Sequence, residues 1–269
     1  MRQLQGRLDI YCIHFSQLSE RKKKLSLSIP SELEINWVTE RSIPNYQIQF
    51  KNSEDVLGIS PRKIGMDLGI NSRSLSRTRR RAKYEGYILY LRSFIDRRGS
   101  RLVASQIENR EPQKKAILEN FMQHLHAIDR AAKSNKPFHL ILEDDALPGS
   151  DSWSQLEKLI LNLNQRGKFV AFLGSGAGLK RTKSDKRIDS FGLYNTGTYG
   201  TRTAVATLYS RDVCIEIMRL VETYGVPNWM PIDFFLQVGM RKLKIKTYWQ
   251  DPPFFEQGSE NGTFKSSLR

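Results

Sequence analysis

Cysteine is nearly absent from this sequence: Cys12 and Cys214 are the only two, in separate apolar segments. That excludes a disulfide framework and a Cys-based zinc site, and a reducing compartment, the cytoplasm, is expected. Histidine is also scarce. His14, His124, His126 and His139 are all there are, which leaves little room for a His-rich metal centre. No apolar run approaches the ~18 residues of a membrane-spanning helix. The first fifteen residues carry charges where a secretory leader needs its apolar core, and no small-residue cleavage site follows, so no leader is expected. Acidic residues are the minority charge, 28 against 43 Lys and Arg, for a formal net charge of +15 over 269 residues. Such a surplus calls for an anionic partner: a phosphorylated ligand, an anionic lipid surface or nucleic acid. Hydrophobic residues, at 39 %, suffice for a real core and exclude wholesale disorder.

Apolar and polar residues alternate along the chain as in an α/β fold. Residues 8–13 (LDIYCI) read as a buried strand, and Ser16 is placed to cap the helix predicted over 18–29, which Pro30 closes. Residues 33–39 suit a second strand. Strand, helix, strand is the opening of a parallel-sheet architecture. From Pro112 to Ala132, Ile117, Phe121, Leu125 and Ile128 recur at helical spacing and share one face. A short strand follows over 138–142, then a helix over 151–163 and a strand over 168–173. Residues 174–203, rich in Gly, Ser and Thr, read as loops over a site. A strand over 204–209, helices over 212–224 and 231–237, and a strand over 245–249 complete the pattern, which holds no internal repeat.

Residues 61–101 differ from the rest, with twelve Lys and Arg against three Asp and Glu. A basic helix over 72–84, a strand over 87–91 and a hairpin turn at 97–100 fit this stretch. Within 61–81, Ile64, Gly65, Leu68, Gly69, Ile70 and Leu75 meet the spacing of a helix-turn-helix, which would turn Arg73, Arg77, Arg79, Arg80 and Arg81 toward phosphates or bases. The alternatives are a helical hairpin whose basic face touches an anionic acceptor or lipid headgroups, and a plain charged surface. The chain is read as one domain over 1–269, with residues 53–108 a basic insert.

The most informative residues are Glu143-Asp144-Asp145, directly after the apolar strand at 138–142. Ligands of open α/β sheets bind beyond the carboxyl ends of strands. Three consecutive carboxylates there are costly unless a cation joins them, and hard oxygen donors suit Mg²⁺ or Mn²⁺. The competing reading is that the acids cap the next helix or form a solvated turn.

The string ILEDDA, preceded by IYCIHFSQLSER near the N-terminus, resembles glycosyltransferase family 25, the lipooligosaccharide and collagen galactosyltransferases. Gln123-His124, Leu208-Tyr209-Ser210-Arg211, Pro231-Ile232-Asp233, Gln257 and Thr263-Phe264-Lys265 follow the order of that family's motifs. The agreement spans roughly 8–40 and 112–268. It departs at His14-Phe15, where Asn-Leu is usual, at Gln123, where Ser is usual, at Thr203-Ala204, and over 41–108, which has no counterpart.

The resemblance implies a GT-A-like, Rossmann-like fold, a UDP-sugar donor, inversion at the anomeric carbon and a divalent metal, Mn²⁺ or Mg²⁺. Asp145 is then the direct metal ligand, and Glu143 assists the metal or binds the ribose. Asp144 faces the sugar or the metal shell and joins Asp233 as a catalytic residue. Asp233 is the expected base, although an Asp after Pro231 is equally suited to a helix N-terminus. The donor site draws on His14, Ser16, Arg21, His124, Gln257 and Lys265. For Arg21 the alternative is the solvated face of a basic helix, and for His124 a structural role. The implied sugar is galactose and the implied acceptor a glycan or lipooligosaccharide-type glycolipid. A nucleic-acid or protein acceptor, DNA binding through 61–81, and peripheral contact with the inner face of an anionic membrane remain alternatives.

Overall fold

The computed structural model describes residues 2–39, 50–51, 111–163, 166–176, 181, 185–195, 203–227 and 231–265. The expected insert over 53–108, with its helix-turn-helix-like segment, lies outside the described residues.

Short apolar runs rich in β formers become strands, and the longer amphipathic stretches become helices that cover them. In chain order the elements are α1 (Arg2–Gln5), β1 (Leu8–Ile13), α2 (Ser19–Ser28), β2 (Ile35–Val38), β3 (Phe50–Lys51) and α3 (Glu111–Lys133). They continue with β4 (Phe138–Glu143), β5 (Ala146–Pro148), α4 (Ser152–Leu163), β6 (Phe169–Phe172), β7 (Lys186–Arg187) and β8 (Leu193–Asn195). The last are β9 (Ala206–Ser210), α5 (Arg211–Tyr224), β10 (Val226–Pro227), α6 (Ile232–Lys242), β11 (Lys246–Gln250) and β12 (Phe255–Gln257).

Eight strands form one sheet in the order β2-β1-β4-β9-β6-β11-β8-β7. Alternate side chains of the central strands enter opposite cores. Tyr11, Ile13, Ile141 and Tyr209 pack beneath α3, α5 and α6, while Leu8, Ile10, Leu140 and Leu208 pack against Leu4 of α1, Leu25 of α2 and the Trp153–Leu163 face of α4. With both faces covered, the central strands read as unbroken apolar runs.

The sheet is mostly parallel, as expected, and mixed. β1 pairs in parallel with β2 and β4, and β6 with β11, but β9 runs antiparallel between β4 and β6. The reason lies in the connection. The Leu173 N–H donates to the Ala206 carbonyl at 2.9 Å, so the chain enters β9 at the edge where it left β6. A parallel return would have required a crossover to the opposite edge.

Other differences are local. The stretch 174–203, expected to be loop, contributes β7 and β8 at the sheet margin. α6 runs to Lys242, five residues past its expected end, because Val238 and Met240 are buried and Arg241 and Lys242 suit a helix C-terminus. Ser16 does not cap α2. It lies exposed in a turn, and Leu18 precedes the helix with no side-chain cap. β5 and β12, not foreseen, pair as a separate antiparallel ribbon.

At the amino ends of β1 and β4, Asp9 gathers Lys136 at 3.0 Å, the Ser134 hydroxyl and, at 3.6 Å, the His139 ring. His139 is fully buried, and burial pulls its pKa down to about 4. An unfolded chain takes up this proton near pH 6.5 and the folded one only near 4, so His139 subtracts stability as pH falls through that window, on the order of 3 kcal/mol in full. His139→Phe removes that contribution. Urea unfolding at pH 7 and pH 4.5 is expected to show the variant losing less stability on acidification than the parent; equal losses would refute the assignment.

Candidate functional site

The acids gather with their partners because β1 and β4 lie side by side in parallel, with Ile13 opposite Glu143. Both strands therefore end at one edge, and His14 and Phe15 emerge beside Asp144. Residues 15–18 turn tightly, the Leu18 N–H donating to the Phe15 carbonyl at 2.8 Å. α2 then carries Arg21 back to the acids. The start of β9 closes the other flank, where the Val205 carbonyl accepts the Glu143 N–H at 2.9 Å.

The three carboxylates have three different environments. Asp144 is buried and both its oxygens are taken. Oδ1 accepts from Arg21 Nη1 at 2.9 Å, and Oδ2 accepts from His14 Nδ1 at 3.0 Å and from the Phe15 N–H at 3.4 Å. The His14 ring stands edge-on to Trp37, with centroids 5.4 Å apart, and its carbonyl accepts from Gln123 Nε2 at 3.2 Å. The cation these acids require is thus supplied in part by the chain itself, as a guanidinium.

Glu143 is the most open of the three, its side chain 22 % exposed. Its Oε1 accepts from Asn120 Nδ2 and from His124 Nε2, both at 3.4 Å. Asn120 and His124 are four residues apart on α3, so one helical face presents both to the strand end.

Asp145 is buried beneath the segment that follows β12. Its carbonyl accepts the Gly258 N–H at 2.8 Å, and its Oδ2 accepts the Ser259 N–H at 3.3 Å, with Arg21 Nη1 4.0 Å away. Its Oδ1 is buried with no hydrogen-bond partner among the described residues. Burial and the Glu143 charge push its pKa up to about 6, against the pull of Ser259 and Arg21. A buried carboxylate with one unanswered oxygen is short of positive charge or of a donor.

The chain after Asp145 reinforces this geometry. β5 leads directly from the acids and pairs with β12, Ala146 standing opposite Gln257. The segment then bends at Gly258, where a Cβ would come within 2.6 Å of the Phe264 ring and 3.1 Å of the Asp145 carbonyl. The Phe264 N–H donates to the Gly258 carbonyl at 2.9 Å, which closes residues 258–264 into a loop. Arg21 Nη2 donates to the Lys265 carbonyl, and the Arg21 guanidinium lies 5.4 Å from the Phe264 ring centroid.

The structure therefore brings His14, Arg21, His124, Glu143, Asp144, Asp145, Gln257 and Lys265 to one edge. Ser16 lies in the exposed turn before α2, and Lys265 takes part through its carbonyl. Asp233 stands in the first turn of α6 behind Pro231. Two residues on, Phe235 meets Phe121 of α3 edge-on at 5.2 Å, so α6 begins against the helix that supplies Asn120 and His124. Sequence reasoning missed Asn120, Gly258 and Ser259, and placed Phe264 in a motif without a role. The four-residue spacing of Asn120 and His124 was the available signal for the first; the others depend on the β5–β12 pairing, which no local pattern announces.

A divalent ion fits this donor set in part. Asp145 Oδ1 is a hard, buried, unpartnered oxygen, and Glu143 lies beside it, whereas Asp144 is already committed to Arg21 and His14. Among the described residues no group of three or more His, Cys, Asp and Glu side chains is arranged to hold a metal. The site suits an ion that arrives with further oxygens of its own, as a diphosphate complex does. Among the described residues no helix is long and apolar enough to cross a membrane. No protein-family model and no curated protein matches the chain.

Proposed function

We propose that the chain is an inverting glycosyltransferase that moves a hexose, galactose by the family resemblance, from a UDP-sugar to a glycan or glycolipid acceptor. One observation carries this reading: Asp145, at the carboxyl edge of β4, offers a buried carboxylate oxygen that no group among the described residues satisfies, next to Arg21. The mixed sheet, with acids at that edge and the β5–β12 ribbon directly after, supports a GT-A-like architecture. Asp145 and Glu143 would hold a Mn²⁺ or Mg²⁺ ion that enters with the donor and offsets the charge of the departing diphosphate. Asp144, with both oxygens engaged, orients Arg21 and His14. Asp233, at the start of α6, is the base of this reading. It takes the proton of the acceptor hydroxyl while that oxygen bonds to the anomeric carbon. The bond to the diphosphate oxygen breaks, and its electron pair leaves with UDP.

A thermal-shift panel tests the reading. Nucleotide sugars with Mn²⁺ are expected to raise the melting temperature, by about 2.7 kcal/mol of added stability at a hundred times Kd, with UDP-galactose ahead and no comparable rise without the metal. Flat curves for every donor in Mn²⁺ would defeat it. A second reading, association with duplex DNA or an anionic membrane, draws on the twelve Lys and Arg of residues 61–101. It requires affinity that falls steeply with salt.

A further inference from the structure

We propose that residues 258–265 form a strap over the acids, latched shut by Arg21, and that an anion of the diphosphate class lifts the strap by taking the guanidinium for itself. The strap is tied at both ends. Its first residues donate to Asp145 through the Gly258 and Ser259 N–H groups, at 2.8 and 3.3 Å. Its last residues are held from α2: Arg21 Nη2 donates to the Lys265 carbonyl, and the cations of Arg21 and Lys24 lie 5.4 and 5.3 Å from the Phe264 ring centroid. Between these anchors, Glu260, Asn261, Gly262 and Thr263 are exposed. Hydrogen bonds to β12 hold the middle of the strap locally, Asn261 Nδ2 donating to Glu256 Oε2 at 3.1 Å and the Glu260 and Asn261 N–H groups to the Gln257 carbonyl at 3.0 and 3.1 Å, while its seat over the acids rests on its ends.

Arg21 decides the state of the latch because its two terminal nitrogens have unequal partners. Nη1 bonds an ionised and buried carboxylate, Asp144, whereas Nη2 bonds a neutral backbone carbonyl. Both bonds are charge-assisted through the guanidinium, and an anionic acceptor adds the attraction of a second, opposite charge. A phosphate oxygen therefore outcompetes the Lys265 carbonyl while Asp144 keeps its hold. Arg21 is only 6 % exposed, lying against Phe264 and Lys265. An anion reaches the guanidinium only where the strap gives way, so ligand entry and strap release are one event. The latch stands on contacts within the chain; its release by a diphosphate rests on the donor reading above.

Hydrogen exchange of the full chain tests both parts, with inorganic pyrophosphate as the anion. The amide of Ser259, bonded to Asp145, reports on the seat of the strap, and those of Asn261 and Phe264, bonded to the Gln257 and Gly258 carbonyls, report on the loop's own fold. Arg21→Gln is expected to speed their exchange about tenfold or more without ligand. Phe264→Ala, whose side chain is only half-buried at the surface, is expected to do the same with the core amides of β4 and β9 unchanged, should the Arg21 variant fold poorly. Saturating pyrophosphate is expected to speed strap exchange in the parent and to add nothing in Arg21→Gln. Unchanged strap exchange in Phe264→Ala and in a folded Arg21→Gln would overturn the latch, whatever the donor. Loosening by the variants without any response of the parent to pyrophosphate would uphold the latch and overturn the anion's part. Slower exchange of the parent with pyrophosphate would reverse the proposed direction.

Discussion

Asp145→Asn is expected to raise the melting temperature of the protein and, on the proposed function, to abolish Mn²⁺-dependent turnover of a nucleotide sugar in the same step. The two effects have one source. Burial and the neighbouring Glu143 charge lift the Asp145 carboxyl from its ordinary value of 3.8 to about 6. A carboxyl so raised is less willing to ionise in the folded protein than in the unfolded chain. Its contribution to stability is therefore intact below pH 3.8, falls between about 4 and 6, and is lost above. At neutral pH the deficit is on the order of 3 kcal/mol. Asn removes the charge, keeps an oxygen for the Ser259 N–H, and is expected to gain several degrees at roughly 2–4 °C per kcal/mol for a chain of this size. It also removes the anionic oxygen that a metal–diphosphate complex would use. Melting curves at pH 4 and pH 8 are the check: the gap between variant and parent opens as pH rises. A variant no more stable than its parent at pH 8, or one that keeps metal-dependent turnover, would sink the assignment.

His139 acts in the opposite sense over nearly the same range, losing stability as pH falls from 6.5 to 4. In the parent the two contributions offset each other. Each single substitution unmasks the other: His139→Phe is expected to leave a protein that gains stability from this pair on mild acidification, and Asp145→Asn one that loses it.

Asp144→Ala is expected to do the reverse of its neighbour's substitution and to destabilise the fold by about 3–5 kcal/mol, the usual penalty for stripping one partner from a buried ion pair. Arg21 and His14, both buried, would lose their shared acceptor, and the Phe15 N–H would lose its own. The melting temperature is expected to fall by on the order of 10 °C. Glu143→Ala is the control. Its carboxylate is 22 % exposed and its two contacts are long, at 3.4 Å, so a loss of about 1 kcal/mol is expected. Chemical denaturation of the two variants orders these costs; equal losses would mean that the Arg21–Asp144 pair has no special weight in the fold.

The parts of this molecule legible in its sequence are those with strong local periodicity. α3 and its buried face of Phe121, Leu125 and Ile128, the run β4 and the acids at its end were all readable from spacing. The opposed direction of β9 was not, because strand direction depends on which edge the preceding loop reaches. The neutralisation of Asp144 was not either. Arg21 and Asp144 are 123 residues apart, and only the parallel register of β1 and β4 shows that the chain can supply its own cation there. Three consecutive acids raised the expectation of a cation; what no local pattern could reveal is that Arg21 and His14 answer Asp144, while Asp145 Oδ1 has no hydrogen-bond partner among the described residues.

The pairing of β5 with β12 also bears on how this protein is made. Asp145 leaves the ribosome more than a hundred residues before Gly258 and Ser259, which complete its surroundings, and β4 must wait for β9 before both its edges are paired. Such long separations slow folding and leave unpaired strand edges open in the meantime. A nascent chain halted before residue 255 would present the β5 edge bare, with the acids uncovered. The stretch from β12 onward is therefore what turns a folded sheet into a finished site.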